Sequence, residues 1–488
     1  MSQRYDLCIL GAGPAGLAAA ARAHDLGLRT ALVEPGQPGG VGVADGALSS
    51  KTLWHLAMDF ARARRTDRGY DGCDLTANWP AVVAEVRAAC GEAWAHAERM
   101  LAFWATPSAR GGLVERIAGR GRFVGHDRLT IDGGAPRELE ADRFLVAVGS
   151  RPRGLPGVVV DGERIVTSDH IERLPALPRR LAIVGAGVVG CEYATVFANL
   201  GATEVTIFDR GHRILGFEDA DVAAEISASF ARVGIAIVHG ARLERVERDG
   251  DVVRVTGKVV DAAGAEAPLT REFDCVLLAV GRAPALDGLG LEHPGVAVER
   301  GAIVSPVPGT ARTSAAHVWA AGDVTPDLML ANVAEQEGRH AVEDLAGREP
   351  RPIAYDAKSA IFFFRPEVAA VGLNEQMARA AGVPYRAAVV SLAVLRRAIA
   401  MRAPDGFVKL LAAPDGKLLG LRVVGPQASS CIQGVALLIE RGGTLAELDH
   451  CPHPHPAVTE GVQEAARVLL GSSIYHPAAF PGLVRLIE

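Results

Sequence analysis

The sequence predicts an α/β fold in which two domains of the same design, each built on a parallel sheet, precede a C-terminal α+β domain. Three observations predict it. A strand, a glycine-rich turn, a helix and a second strand occur in that order near residue 5 and again near residue 181. Each unit is followed by a similar late strand, and the strand pattern changes after about residue 350. Such a repeat indicates two related units, and the unit is typical of a Rossmann-like dinucleotide-binding domain.

The first unit runs from an apolar strand into the turn Gly11-Ala-Gly-Pro-Ala-Gly16, an Ala-rich helix and a strand that ends at Glu34. In this G-x-G-x-x-G pattern, Gly11, Gly13 and Gly16 permit a tight turn, close approach of a pyrophosphate and close helix–strand packing. The N-terminus of the helix then offers free N–H groups to the phosphates. Glu34 follows Gly16 by 18 residues and is placed to accept hydrogen bonds from a ribose.

The second unit repeats this order. Its first strand leads into Gly185-Ala-Gly-Val-Val-Gly190, and the next strand ends at Asp209, 19 residues after Gly190. Gly185, Gly187, Gly190 and Asp209 are therefore candidate residues of a second dinucleotide site.

Each unit is closed by a late strand with a similar ending. The first reads Val-Gly149-Ser-Arg-Pro and the second Val-Gly281-Arg282-Ala-Pro. A third short strand ends in Gly322-Asp323 and places a carboxylate beside a glycine. Two dinucleotide sites in one chain indicate electron transfer between two bound dinucleotides.

Composition and charge exclude several other classes. The 488 residues suffice for about three or four domains, and the formal charge of −6 argues against nucleic acid as a partner. No apolar run reaches the roughly 18 residues of a membrane span. A strand begins at residue 5, which leaves no room for a signal peptide, and the seven cysteines form no CxxC pair. We therefore expect a cytoplasmic protein.

The order of these motifs resembles that of the class I pyridine nucleotide-disulfide oxidoreductases, a family that includes dihydrolipoamide dehydrogenase and soluble transhydrogenase. The resemblance covers essentially the whole chain. It implies FAD on the first site, with Gly40 and Lys51 among its contacts, and NAD(P)H on the second, with Glu192 among its contacts. It also implies that Asp323 contacts the ribityl or phosphate region of FAD, and that a C-terminal domain pairs two subunits into a homodimer.

This resemblance predicts four segments. Residues 1–150 are the first part of the FAD-binding domain, 151–280 the NAD(P)-binding domain, 281–350 a central domain that completes the FAD site, and 351–488 the dimerisation domain. The last segment has strand-like runs at 387–394, 406–411 and 418–424, ahead of a helix near 430–440.

One departure from the family concerns its redox disulfide. The family motif is GGxCxxxxCxPSK, and residues 39–51 of this chain read GGVGVADGALSSK. Gly42 and Ala47 therefore stand at the two cysteine positions, and neither can carry the thiolate that disulfide exchange needs. We expect the loss of two side chains to leave room for an acceptor beside the flavin. Rescue by another cysteine is the alternative.

Other family positions are retained. Lys51 and Glu192 match a pair near the reactive flavin edge, where a cation stabilises electron density on the reduced ring; the alternative is a structural ion pair. His455 and Glu460 match the HPxxxE dyad that the partner subunit supplies, and the imidazole is suited to proton transfer near neutral pH. With no dithiol to serve, the dyad either protonates another acceptor or is a structural pair.

Two further choices concern ligands. Cys451, His453 and His455 alternate along the chain, but three ligands without a fourth give weak support for a metal site, and we expect none. At the second site, Asp209 favours the free 2′-hydroxyl of NADH over the 2′-phosphate of NADPH. Arg210, beside it, keeps NADPH possible.

These observations lead to three functional hypotheses. The first is an FAD-dependent NAD(P)H oxidoreductase that moves hydride from NADH to FAD and then passes electrons directly to a small-molecule acceptor, such as a quinone, a dye-like aromatic or a metal complex. The second is transhydrogenation between NADH and NADP⁺, and the third a non-catalytic FAD-binding protein. Dihydrolipoamide oxidation is not expected, because disulfide exchange needs a sulfur nucleophile.

Overall fold

A computed structural model describes residues 4–69, 75–133 and 137–487. Cys73, one of the seven cysteines, lies outside the described residues.

The N-terminal region carries the first fingerprint. Its first helix begins at Pro14, where the missing N–H costs no hydrogen bond, and ends before Gly27, which adopts the left-handed conformation of a helix C-cap. The elements of this region are β1 (Leu7–Leu10), α1 (Pro14–Leu26), β2 (Arg29–Glu34), α2 (Ala47–Ala63), α3 (Trp79–Trp104), β3 (Leu113–Ala118), β4 (Arg120–Phe123), β5 (Arg128–Asp132), β6 (Arg137–Glu140), β7 (Phe144–Val146) and β8 (Ser150–Pro152).

The middle region carries the second fingerprint, and its helix α4 is buried along most of its length. The elements of this region are β9 (Ile165–Val166), β10 (Arg180–Val184), α4 (Val188–Asn199), β11 (Glu204–Phe208), α5 (Ala220–Arg232), β12 (Ala236–Val238), β13 (Ala241–Asp249), β14 (Val252–Val260), β15 (Glu266–Phe273), β16 (Cys275–Leu278) and β17 (Arg282–Pro284).

The remaining elements return to the first sheet and then form the C-terminal region. They are β18 (Val298–Glu299), β19 (Ala302–Ile303), β20 (Val318–Ala320), α6 (Ala331–Leu345), β21 (Ser359–Phe362), β22 (Val368–Gly372), α7 (Glu375–Ala380), β23 (Arg386–Ser391), α8 (Arg396–Ala400), β24 (Phe407–Ala412), β25 (Leu418–Val424), α9 (Gln433–Glu440), α10 (Leu445–His450), α11 (Glu460–Leu470) and β26 (Val484–Ile487).

The two dinucleotide units have the same sheet topology. The strand orders are β20-β7-β1-β2-β3 and β9-β16-β10-β11-β12, and in each sheet the strand before the fingerprint is central, between the strand that ends at the acid and the late strand. These central pairings are parallel. Each unit also carries an antiparallel three-stranded sheet, β4-β5-β6 or β13-β14-β15, at the same point of its topology. The predicted α/β fold with two Rossmann-like units is confirmed.

The C-terminal region is α+β, as predicted, with a six-stranded antiparallel sheet in the order β21-β22-β25-β24-β23-β26. It is joined to the middle region by buried charges. Lys409 on β24 is fully buried, and its ammonium pairs with Asp219 at 2.9 Å and Asp221 at 3.0 Å, both at the start of α5, and with Glu375 on α7. A buried ammonium is stable only when it is paired, so these contacts fix the two regions against each other.

None of the helices within the three described ranges combines the length and apolarity needed to cross a membrane. The predicted segment boundaries and the cytoplasmic location stay predictions.

Candidate active site

The first glycines of the two fingerprints occupy equivalent positions. Gly11 and Gly185 have φ values of +103° and +107°, which favour glycine. A Cβ on Gly11 would collide with the carbonyl oxygen of Ala147, and one on Gly185 with that of Ala279. Because these carbonyls lie just after the late strands β7 and β16, each turn is packed directly against the neighbouring strand end.

The other two glycines of each fingerprint differ in their surroundings: one is closely packed, and the other has free space at its Cβ position. A Cβ on Gly16 or Gly190 would collide with the carbonyl oxygen of the first glycine of its own fingerprint. Around Gly13 and Gly187, in contrast, no described atom outside the neighbouring residues lies within 4 Å of the Cβ position. This open backbone at the start of a helix is the cradle that a pyrophosphate requires, so both turns fit a dinucleotide.

The two acids also have equivalent surroundings. Glu34 accepts hydrogen bonds from the N–H of Ala12 at 2.7 Å and from the N–H two residues after itself at 2.9 Å. Asp209 accepts from the N–H of Ala186 at 3.0 Å and again from the N–H two residues on, at 2.9 Å. A carboxylate accepts about four hydrogen bonds, so each acid holds its turn in place and retains capacity for a ribose hydroxyl.

A cleft of about 890 Å³ opens beside the second fingerprint. Its volume lies within the range of about 300–1,000 Å³ that is usual for ligand sites. The predicted nicotinamide-site residues among those that line it are Gly185, Gly187, Asp209, Arg210, Gly281 and Arg282.

Lys51 and Glu192 lie together, as the sequence predicts. The Lys51 ammonium on α2 donates to Oε2 of Glu192 on α4 at 2.8 Å, and the N–H of Phe363 donates to Oε1 of Glu192 at 3.0 Å. The ammonium also lies 5.2 Å from the centre of the Phe363 ring. Glu192 is buried and Lys51 is partly exposed. The ammonium is therefore held where all three regions meet.

Asp323 belongs to a polar chain that extends to the cleft. The hydroxyl of Ser150, which follows Gly149, donates to Oδ2 of Asp323 at 2.5 Å. Arg282 donates to the same hydroxyl at 2.8 Å and to the Ser150 carbonyl at 2.9 Å. The short strands that follow the late strands, β8 with Ser150 and β17 with Arg282, thus pair beside Asp323. Ser150 has no feature in the sequence that distinguishes it from any other turn serine.

The loop that carries Gly42 and Ala47 packs on the first fingerprint. The N–H of Gly39 donates to the carbonyl of Ala12 at 2.7 Å, residues Gly40–Gly42 form one helical turn, and Ala47 begins α2. A Cβ on Gly42 would lie 2.7 Å from Cγ of Pro14. The Pro14 ring therefore occupies the side of position 42 that faces α1, and the room expected for an acceptor beside the flavin stays a prediction.

Cys90 lies close to this loop. The Cys90 thiol on α3 donates to the carbonyl of Val43 at 3.5 Å, but burial, with the nearby carboxylates of Glu172 and Asp45, raises the pKa of Cys90 to about 11. Burial also raises the pKa values of Cys8 and Cys191. Since the thiolate is the reactive form, burial acts against its formation at all three cysteines.

The predicted dyad forms in the C-terminal region. His455 Nδ1 donates to Oε1 of Glu460 at 2.7 Å, and the N–H of Ala457 donates to Oε2 at 2.9 Å. Burial acts to raise the pKa of Glu460, but the hydrogen bonds from His455 and Ala457 outweigh it, and the pKa lies below its usual value. The His455 side chain is 53 % exposed. Within the described residues, His455 forms its side-chain hydrogen bond with Glu460 and none with Lys51 or Glu192.

The alternating residues before the dyad do not converge. The ring of His453 forms a hydrogen bond with the carbonyl of Cys451 at 3.0 Å. In the part of the chain that the structure describes, no group of three His, Cys, Asp or Glu side chains is arranged to hold a metal ion.

The comparisons with known proteins agree with this geometry. The family described as "Pyridine nucleotide-disulphide oxidoreductase" matches residues 5–338, and its dimerisation domain matches residues 359–466. Dihydrolipoyl dehydrogenase of Chlamydia muridarum is 31% identical over 484 residues, which are 98% of this chain and 99% of the relative. That of Chlorobaculum tepidum is 34% identical over 470 residues, which are 96% of this chain and 97% of the relative. The crystal structure of LpdA from Mycobacterium tuberculosis is similar with a TM-score of 0.83 and 33% identity, over 96% of this chain and 99% of LpdA.

The chain therefore belongs to the pyridine nucleotide-disulphide oxidoreductase family. Because it belongs to this family, the protein is an oxidoreductase that uses FAD and NAD(H). This agrees with the two pyrophosphate cradles at Gly13 and Gly187.

Proposed function

We propose that this enzyme moves a hydride from NADH to FAD and then passes electrons directly to a small-molecule acceptor that is not a disulfide. FAD, when bound, supplies the step from two-electron to one-electron chemistry. A quinone, a dye-like aromatic and a metal complex are acceptors of the required kind. The observation that carries the proposal is the sequence around the flavin loop, which has no cysteine between Cys8 and Cys73.

The remaining cysteines do not support a substitute relay. Cys90 is the described cysteine that contacts the loop, and its thiol is buried with a pKa of about 11. Cys451 is an exposed free thiol four residues before His455, but the nearest cysteine in the sequence is Cys431, so it lacks the adjacent second thiol that a dithiol relay needs. Dihydrolipoyl dehydrogenase, the activity named for the relatives, requires disulfide exchange and is therefore not the activity that we propose.

The Lys51–Glu192 pair supports catalysis rather than mere binding. A structural ion pair needs no exposed ammonium, whereas Lys51 is partly exposed while its partner is buried. We assign Lys51 the role of a fixed cation that stabilises electron density on the flavin, and Glu192 that of holding it. Gly13, Glu34, Gly40, Gly149 and Asp323 are assigned to FAD, and the residues of the cleft to the nicotinamide cofactor.

The proposed assembly is a homodimer in which His455 of the partner subunit reaches the flavin and transfers a proton. The match to a dimerisation domain supports this assembly. A mass of two chains in solution is expected.

NADH is the proposed electron donor, and NADPH is the second candidate. Both oxygens of Asp209 already hold backbone N–H groups, which fixes the acid where it would repel a 2′-phosphate. Arg210 lines the same cleft. If the cleft takes both nucleotides in turn, transhydrogenation between NADH and NADP⁺ becomes a second activity of the same site.

The test is an acceptor screen with the purified flavoprotein. NADH oxidation is measured with a naphthoquinone, with a one-electron iron complex, with lipoamide and with NADP⁺, for the wild type and for a Cys90→Ser/Cys451→Ser variant. The proposal predicts turnover with the quinone or the metal complex, unchanged in the variant. Efficient turnover of lipoamide, or loss of quinone turnover in the variant, would contradict it. Absence of any turnover would favour the FAD-binding protein.

A further inference from the structure

Glu337 is a buried carboxylate directly behind the turn that presents Asp323. It lies on α6 and is 2 % exposed. Its Oε2 accepts a hydrogen bond from the N–H of Gly322 at 2.6 Å, and its Oε1 accepts one from the hydroxyl of Tyr355 at 2.7 Å. Burying a carboxylate is costly unless it is hydrogen-bonded, so this arrangement depends on both donors.

The Gly322 peptide is held tightly on its other sides. Gly322 has a φ of +76°, and a Cβ placed on it would lie 3.3 Å from the Cβ of Ala334 and 3.5 Å from that of Ala15. Its carbonyl accepts a hydrogen bond from the hydroxyl of Thr325 at 3.0 Å. The Glu337 carboxylate therefore orients the backbone N–H of the residue directly before Asp323.

The same helix packs against the first fingerprint. A Cβ on Gly338, the residue after Glu337, would collide with the carbonyl oxygen of Ala15 in α1. Glu337 is thus positioned by backbone-to-backbone packing between α6 and the helix that begins at the phosphate cradle. Tyr355, in the short helix Tyr355–Ala357, connects the carboxylate to the segment that leads to the C-terminal sheet.

From these contacts we infer that Glu337, anchored by Tyr355, is a positioning residue of the FAD site: it holds the Gly322 N–H and thereby orients Asp323 toward the bound flavin nucleotide. This inference rests on the proposed role of Asp323. On the other side, the hydroxyl of Ser150 holds the Asp323 carboxylate at 2.5 Å. Asp323 is therefore fixed from both sides, by Ser150 on its side chain and by Glu337 on its preceding peptide.

The experiment measures how fast FAD leaves the holoprotein, followed as the rise of free-flavin fluorescence. Glu337→Leu leaves the Gly322 N–H without an acceptor, and we expect release to be about tenfold faster. Glu337→Gln keeps an acceptor oxygen and an N–H₂ group that can pair with Tyr355, so we expect release within about twofold of the wild-type rate. Glu335→Gln, an exposed position on the same helix, is the matched control.

A double-mutant cycle separates positioning from a general loss of structure. If Glu337 acts through Asp323, Glu337→Leu in an Asp323→Asn background accelerates release much less than in the wild type. Additive effects would overturn the inference, and so would wild-type release from Glu337→Leu or equal rates for the Leu and Gln variants. Should Glu337→Leu not fold, Tyr355→Phe provides the same test with a smaller acceleration. A wild-type protein that is purified without any FAD would instead contradict the proposed function.

Discussion

Lys51 and Glu192 are 141 residues apart in the sequence and form an ion pair of 2.8 Å between α2 and α4. The second oxygen of Glu192 is held by the N–H of Phe363, which belongs to the strand-bearing C-terminal region. One carboxylate thus joins the FAD unit, the nicotinamide unit and the C-terminal sheet. The position of the ammonium depends on all three.

Changing either member of this pair is expected to shift the flavin reduction potential, in opposite directions. Lys51→Met removes the cation that stabilises the reduced ring, so the potential falls and reduction by NADH slows by about tenfold or more. Glu192→Gln leaves the cation without its counter-charge, so the potential rises. Potentiometric titration and stopped-flow reduction measure both effects. Lys417→Met, which removes an exposed lysine beside Asp415, is the control. Shifts of the same sign would contradict the assigned roles.

Arg210 is expected to control the use of NADPH. Because Asp209 is fixed by two backbone N–H groups, the guanidinium of Arg210 is the adjacent group in the cleft that can compensate a 2′-phosphate. Arg210→Ala should lower kcat/KM for NADPH by about tenfold and leave that for NADH nearly unchanged. Arg254→Ala on β14, outside the cleft lining, is the matched change. An equal loss with both nucleotides would assign Arg210 a structural role instead.

Position 42 is expected to tolerate a larger side chain poorly. A Cβ on Gly42 would lie 2.7 Å from Cγ of Pro14, so Gly42→Ala forces a shift of the loop or of the ring. Overpacking of this kind costs about 1–3 kcal/mol. Chemical denaturation measures the cost, and we expect Pro14→Ala to relieve part of it in the double variant. Gly91→Ala on α3, where no described atom lies within 4 Å, should keep the stability or raise it. Equal stability of Gly42→Ala and the wild type would contradict this prediction and show that the loop or the Pro14 ring moves away without cost.

The raised pKa of Glu337 predicts that the stability difference between the wild type and Glu337→Gln depends on pH. Burial raises the pKa of its carboxyl to about 7 from a usual value of 4.5; hydrogen bonds from Tyr355 and the Gly322 N–H act against this rise, as does the charge of Lys358, and Asp327 adds to it. Between pH 4.5 and 7 the folded state therefore binds more protons than the unfolded state, so this group's contribution to stability falls as pH rises. Relative to the wild type, Glu337→Gln should gain stability between pH 5 and pH 8. Parallel melting temperatures of the two proteins across that interval would contradict the assignment.

The sequence predicts well those features that have local patterns. The strand–turn–helix order, the glycine positions and the terminal acids follow from short-range geometry, and Gly11 and Gly185 fill their turns in the same way. The late strands were predictable for the same reason. The internal repeat extends further than the fingerprints indicate, because each unit also carries an antiparallel three-stranded sheet.

Features that depend on distant packing could not be predicted from local patterns, and the Lys51–Glu192 contact was expected only because the chain resembles the family. Glu337 is one of several acids on an amphipathic helix, and its burial follows from the contact of Gly338 with α1. The close approach of Pro14, a residue of the fingerprint itself, to the Cβ position of Gly42 is a second example. Likewise, the contact of Cys90 with Val43 spans 47 residues. Such relationships depend on the tertiary fold, on which short sequence patterns carry no information.

The most direct test of the central claim is an anaerobic titration of the purified flavoprotein with NADH, followed through the flavin spectrum. A flavin that reduces its acceptor without a disulfide takes up a single hydride. We therefore predict complete bleaching at one equivalent of NADH per flavin, without a long-wavelength thiolate–flavin band. A second equivalent consumed before full reduction, together with that band, would reveal a redox-active disulfide and contradict the account.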